Sequence, residues 1–191
     1  AATTGVRIVL ALRGGVQAPL VLGSRSRDVL SGLGPDPLTA GQQIAVGGAE
    51  PLGPVADVHG SSDLPHLLPH GEETVQIPVL PGPHQAVLGE GAFAALCSAT
   101  WQVRSDSDRV GVRLDGAPLP SATSGDLPSE PMVPGAIQVP PSGLPVVFGP
   151  DHPATGGYPV VAVVTRRGLD LLAQAAPGQH LRFDLDSGQM P

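Results

Sequence analysis

The 191 residues are enough to bury a real core, as one large or two small domains. A net charge of −7, with ten arginines and no lysine, makes nucleic acid and anionic membrane surfaces poor partners, and 3% aromatic content leaves no stacking platform for single strands. Glycine (26) and proline (23) are abundant, yet 41% of the residues are hydrophobic and recur as short Val and Leu runs between those breakers, which describes turn-rich β structure around an aliphatic core.

The chain opens with Gly5 to Arg13, an almost unbroken apolar run of the kind found in a strand buried on both faces. Arg13-Gly14-Gly15 ends it. Ser24-Arg25-Ser26-Arg27-Asp28 is a polar loop, either solvated or offering arginine to an anion, and a short strand is expected from Gln42 to Val46. Residues 49–73 have the composition of a linker, rich in Gly, Pro, Ser and Asp. His59, His66 and His70 lie in it, with His84 beyond. Pro65 and Pro69 argue against the helix that would put His66 and His70 on one face, so no metal site is expected.

A second unit spans 74–188. It is expected to hold a strand from Thr74 to Leu80, a short helix from Gly89 to Ala99, and a strand from Trp101 to Arg104. Cys97, the single cysteine, has no partner for an internal disulfide and reads as a small core hydrophobe on that helix. Ala136 to Val139 and Pro145 to Phe148 read as a β-hairpin, because Pro141-Ser142-Gly143 supplies a fixed φ and then a positive one. A strand from Val160 to Thr165 and a short helix from Gly168 to Ala175 follow. His180 to Asp186 alternates Leu181, Phe183 and Leu185 toward the inside of a last strand. Strands dominate and the expected helices are two and short, so the fold class is mainly β, an antiparallel barrel.

No nucleophile elbow, P-loop or zinc signature is present. The chemistry-bearing candidates are the carboxylates Asp108 and Glu130, the cations Arg109 and Arg113, and the neutral polar groups Gln138, Thr155 and Tyr158. Gly156 and Gly157 add backbone donors. Such a set holds a small amide or lactam and stabilises charge developing on its oxygen. The same residues also serve as turn caps, ion pairs and tight-turn glycines, and residue types alone leave both readings open.

Several of these residues fall into an ordered series: Ser107-Asp108-Arg109, Gly111-x-Arg113-Leu114, Ser129-Glu130, Gly135-Ala136-Ile137-Gln138-Val139-Pro140, Gly143-x-Pro145 and Thr155-Gly156-Gly157-Tyr158-Pro159. Leu12-Arg13-Gly14-Gly15, Leu22-Gly23-Ser24-Arg25-Ser26 and Leu38-x-Ala40-Gly41 precede them, and Ala173-Gln174 and Pro177-Gly178 follow. The series resembles the KipA-like family, known also as the 5-oxoprolinase C subunit, allophanate hydrolase subunit 2, or the biotin-dependent carboxyltransferase A/B domain. Pro153, Ala154 and Leu144 depart from its usual polar residues. The resemblance implies cyclophilin-like β-barrels, with 1–48 the C-terminal part of a first barrel whose earlier part is absent, and 74–188 a second.

It further implies one subunit of an ATP-dependent amidohydrolase, inactive alone. Such a protein works with a KipI-like B-type partner and a third, A-type partner to open 5-oxo-L-proline to L-glutamate. Asp108, Arg109, Arg113, Glu130, Gln138, Thr155, Gly156, Gly157 and Tyr158 are then candidates for holding lactam or nucleotide. Two alternatives come with the family. One is a carboxyltransferase domain acting on urea, with biotin carried on another chain. The other is a non-enzymatic regulator that antagonises a kinase inhibitor. With no apolar run of membrane-spanning length and no signal-peptide pattern, a cytoplasmic location is expected.

Overall fold

The structure is a computed structural model that describes residues 6–7, 10–48, 74–89, 91–120 and 127–187. His59, His66, His70 and the linker reading of 49–73 lie outside the described residues. The chain divides into two compact units, one made of Ala1–Arg7 with Asp63–Pro191 and the other of Ile8–Ser62.

The first unit holds nine strands among its described residues. In chain order they are β1 (Val75–Pro81), β2 (Trp101–Val103), β3 (Gly111–Asp115), β4 (Glu130–Pro131), β5 (Ala136–Gln138), β6 (Val146–Phe148), β7 (Thr155–Gly156), β8 (Val160–Val164) and β9 (His180–Leu185). Seven of them form a closed barrel in the order β1-β8-β5-β6-β3-β2-β9, returning to β1. The other two, β4 and β7, form a separate two-stranded sheet. Every barrel pairing is antiparallel except one. β1 and β9 run parallel over five residue pairs, from Val75↔Leu181 to Val79↔Leu185, and this pair closes the barrel and removes its free edges.

Alternation fills the interior. On β1, Val75, Ile77 and Val79 are buried while Gln76 is exposed, and on β9 Leu181 and Phe183 point in. They meet Leu114, Ile137, Val147, Val161 and Trp101, all fully buried. Trp101 also places its indole N–H 3.0 Å from the Leu96 carbonyl, so its polar edge is satisfied inside the core. Leu185 departs from the inward alternation expected of it. It is 55% exposed, at the last residue pair of the β1–β9 ladder.

The helices number three among the described residues, one more than expected: α1 (Gln85–Leu88), α2 (Ala92–Ser98) and α3 (Arg166–Leu172). α2 buries Ala92 and Leu96, and packs Cys97 partly against the core. Burial, and secondarily the nearby Asp184 carboxylate, push the Cys97 thiol above its ordinary pKa, which fits a packing role rather than a nucleophilic one. α3 starts at Thr165, whose hydroxyl accepts the Gly168 N–H at 3.3 Å. It lies against β1, with Gly168 close enough that a Cβ there would meet Val164 Cγ1 at 2.6 Å.

The hairpin forms as the turn chemistry dictates. β5 and β6 pair through Ile137↔Val147 and Gln138↔Val146, and Gly143, at φ +75, donates its N–H to the Pro140 carbonyl at 2.9 Å.

In the Ile8–Ser62 unit the only ladder contacts among the described residues are two isolated bridges, Val16↔Val46 and Val21↔Ser24. The strand expected from Gln42 to Val46 is reduced to the first of these. Arg27 pairs with Asp36 at 2.9 Å, so one of the two arginines of the polar loop meets a carboxylate of its own unit. The strand expected over Gly5 to Arg13 does not form in residues 6–7 and 10–13. An apolar run becomes a strand only with a ladder partner. Here the N–H groups of Val6 and Arg7 go instead to the Gln174 side chain, at 3.0 and 3.2 Å, and Leu10 is 77% exposed.

Candidate functional site

The wall formed by β3, β6, β5 and β8 has two faces. Ile137 and Val147 point into the barrel, so their neighbours Ala136, Gln138, Val146 and Phe148 point outward. On that outer face Ala136, Phe148 and Val160 form a small apolar cluster of their own, flanked by Met132, Val146 and Val163. The segment carrying β7 and the chain from Gly157 to Pro159 cover it. Gln138 is therefore only 4% exposed although it faces away from the barrel interior.

The Gln138 amide fastens this cover. Its Nε2 donates to the Tyr158 carbonyl at 3.1 Å and lies 3.5 Å from Met132 Sδ. Gly156 passes so close that a Cβ on it would meet Gln138 Nε2 at 2.5 Å, which is why a residue without a side chain stands there. The short sheet then places Glu130 opposite Gly156 and Pro131 opposite Thr155. Met132 N–H extends the pairing to the Ala154 carbonyl at 3.0 Å. Five of the expected site residues, Glu130, Gln138, Thr155, Gly156 and Tyr158, are thus brought to one patch of the outer wall, with Gly157 next in the same segment.

A residue that no local pattern singles out completes the group. His84, just before α1, accepts the Val160 N–H on Nδ1 at 3.0 Å. A ring nitrogen that accepts carries no proton, so in neutral imidazole the proton is on Nε2. Nε2 lies 3.1 Å from Glu130 Oε2. The His84 side chain is 12% exposed and the Glu130 side chain 43%, so a mostly buried N–H is held against a carboxylate that still reaches solvent. That hydrogen bond fixes the orientation of one oxygen and leaves the other open for proton transfer.

The remaining candidates go elsewhere. Asp108 caps its own turn, its Oδ1 accepting the N–H groups of Val110 and Gly111 at 2.9 and 3.1 Å. Arg109 pairs with Asp151 at 2.8 Å. Arg113 pairs with Val146, which in turn pairs with Gln138, so it stands on the same outer face two strands away, about 10 Å off at the usual strand spacing. Arg113 lies 3.8 Å from Asp106, and Asp106 is held chiefly by Arg104, whose guanidinium keeps that carboxyl below its ordinary range. Among the described residues no group of three His, Cys, Asp or Glu side chains is placed to hold a metal ion.

Comparison with known proteins gives this geometry a context. The family described as the carboxyltransferase domain, subdomains A and B, matches residues 1–185. The chain is 34% identical to the 5-oxoprolinase C subunit of Escherichia coli over 180 residues, covering 94% of this chain and 56% of that protein. It is 28% identical to the urea amidolyase of Lachancea kluyveri across 95% of its length, though only 11% of that protein. Among solved structures, the Kluyveromyces lactis urea amidolyase superposes with a TM-score of 0.73 at 28% identity, over 97% of this chain and 12% of that one. The chain therefore spans little more than half of the E. coli protein and a small part of the yeast enzymes. It belongs to the carboxyltransferase domain family, subdomains A and B.

Proposed function

We propose that this chain is part of one subunit in an ATP-dependent amidohydrolase of the 5-oxoprolinase type, opening the lactam of 5-oxo-L-proline to L-glutamate. The observation that carries the reading is the identity of 34% with the E. coli 5-oxoprolinase C subunit, over 94% of the chain. The outer-wall patch supplies chemistry of the right kind. Glu130, steadied by His84 Nε2–H, takes a proton from the water that attacks the lactam carbonyl carbon. The ring C–N bond breaks as that proton passes to the departing nitrogen, which gives the amine and carboxylate of the open product and restores the Glu130 carboxylate. Thr155, Gly157 and Tyr158 form the exposed rim that positions the ring.

The residues of this patch do not fit a triphosphate. Its charged group is a carboxylate, while Arg109 and Arg113 lie against Asp151 and Asp106. We assign the nucleotide to the partner proteins, one KipI-like (B-type) and a third of A-type. Among the described residues no helix is long and apolar enough to cross a membrane, and a cytoplasmic assembly goes with this reading. We also propose that the Ile8–Ser62 unit is one part of a further barrel completed by chain beyond these residues.

Similarity to the urea amidolyases over 95% of the chain keeps a second reading, transfer of a carboxyl group from carboxybiotin to urea. Combining the full-length protein with its two partner proteins decides between them. Glutamate release from 5-oxoproline that requires ATP supports the first, and carboxylation of urea from carboxybiotin without such release supports the second. Tight binding of the KipI-like partner with neither turnover points to a regulator.

A further inference from the structure

A hollow of about 370 Å³ in the barrel unit shares no lining residue with the Glu130 patch. That volume is at the lower end of the roughly 300–1,000 Å³ of small-molecule sites. Its apolar lining comes from Leu169 and Leu172 of α3 and from Val112, Pro134 and Pro150. The polar side chains on its border are Arg7, Asp108 and Arg109.

Their charges are unequally spent. Asp108 is tied down by two backbone N–H groups, and Arg109 lies against Asp151. Arg7 gives one N–H to the Ala173 carbonyl and has no carboxylate within ion-pair distance among the described residues. A guanidinium offers five N–H groups in a planar fork that matches a carboxylate. Its backbone is anchored on both sides by Gln174, which accepts from Arg7 N–H and donates to the Arg7 carbonyl at 3.3 Å, so the cation is held beside the hollow.

An apolar hollow with one underused guanidinium at its border selects a ligand with an apolar body and an anionic head. We propose that it binds a small apolar carboxylate, its hydrocarbon against Leu169, Leu172 and Pro134 and its carboxylate on Arg7. Burying the body supplies about 25 cal/mol per Å² of apolar surface, and the charged hydrogen bonds on Arg7 add the preference for the acid over the alcohol. An amine of the same length meets the Arg7 charge and is rejected.

Titration of the full-length protein with hexanoate, hexanol and hexylamine, followed by NMR, tests the site. Saturable hexanoate binding is expected, with shifts at α3 and at residues 108–112, 134 and 149–150, and hexanol about tenfold weaker, one charge-assisted bond's worth. Arg7→Gln lowers hexanoate affinity by about the same factor and leaves hexanol unchanged. Leu169→Trp, which fills the hollow, removes binding of both. Equal affinity for hexanoate and hexanol, wild-type hexanoate affinity in Arg7→Gln, or no saturation by any of the three overturns the proposal. None of these readouts depends on lactam hydrolysis.

Discussion

Residues 75–185 and residues 10–48 are written in the same vocabulary, short apolar runs broken by glycine and proline, yet only the first region buries its apolar side chains. In the barrel every run has a ladder partner on each side, and Ile77, Leu114, Ile137 and Phe183 lose all their exposure. Between 10 and 48 no described residue is buried, and Leu10, Leu20, Leu22, Leu30 and Leu38 are all more than half exposed. Turn chemistry works equally well in both regions, as the Val21–Ser24 turn and the Asp28 hydrogen bonds to the N–H groups of Leu30 and Ser31 show. What differs is the supply of strands across which an apolar face can be shared. Local sequence decides where the chain turns, and partners distant in sequence decide whether a run is buried.

The contrast is most open to attack through its extremes. Trp101→Ala empties the centre of the barrel and strands the Leu96 carbonyl, and it should cost about 3–5 kcal/mol of stability in chemical denaturation. Leu22→Ala, at a residue 92% exposed, should stay within about 0.5 kcal/mol. Comparable losses from the two substitutions would mean that the second region has a core after all.

Gln138→Ala sharpens the same point on the outer wall. It leaves the Tyr158 carbonyl without its donor under a covering segment, and it should cost about 1–3 kcal/mol. In the assembled enzyme it should also loosen the strand that positions Glu130. An unchanged melting temperature would show that the amide does not fasten the cover. Thr165→Ala is the mildest of the substitutions in the barrel unit, since it removes one cap from a seven-residue helix and should cost about 1 kcal/mol. No loss of stability there would mean that packing on β1 alone sets the start of α3.

The legible parts of the fold were those with local signals. The hairpin announced itself by Pro141-Ser142-Gly143, and β8 and β9 by runs of Val or alternating Leu and Phe. The parallel closure of β1 on β9 had none, because register between segments a hundred residues apart leaves no mark in either one. The short sheet of β4 and β7 was equally silent, two residues a side with a proline in one, and it is this sheet that brings Glu130 to Gly156. His84 escaped for the same reason. Its partners are Glu130 and Val160, the second 76 residues away, and beside Pro83, beyond the linker histidines, it carries no pattern of its own. The motif residues Asp108, Arg109 and Arg113 were legible as a group but not as a structure, since whether an arginine meets a ligand or an aspartate depends on the loop that faces it.

The central claim is that Glu130, held by His84 on the outer wall of the barrel, carries proton transfer in the assembled enzyme. Glu130→Gln tests it most directly, because the amide oxygen still accepts from His84 Nε2–H, so the fold is kept while the charge and the basicity are lost. The measurement is ATP-dependent glutamate release by the assembly containing this variant, with its melting temperature taken alongside. Turnover should fall by about 10²–10⁴-fold with the melting temperature unchanged. Turnover at the wild-type rate by a fully folded Glu130→Gln protein would contradict the account.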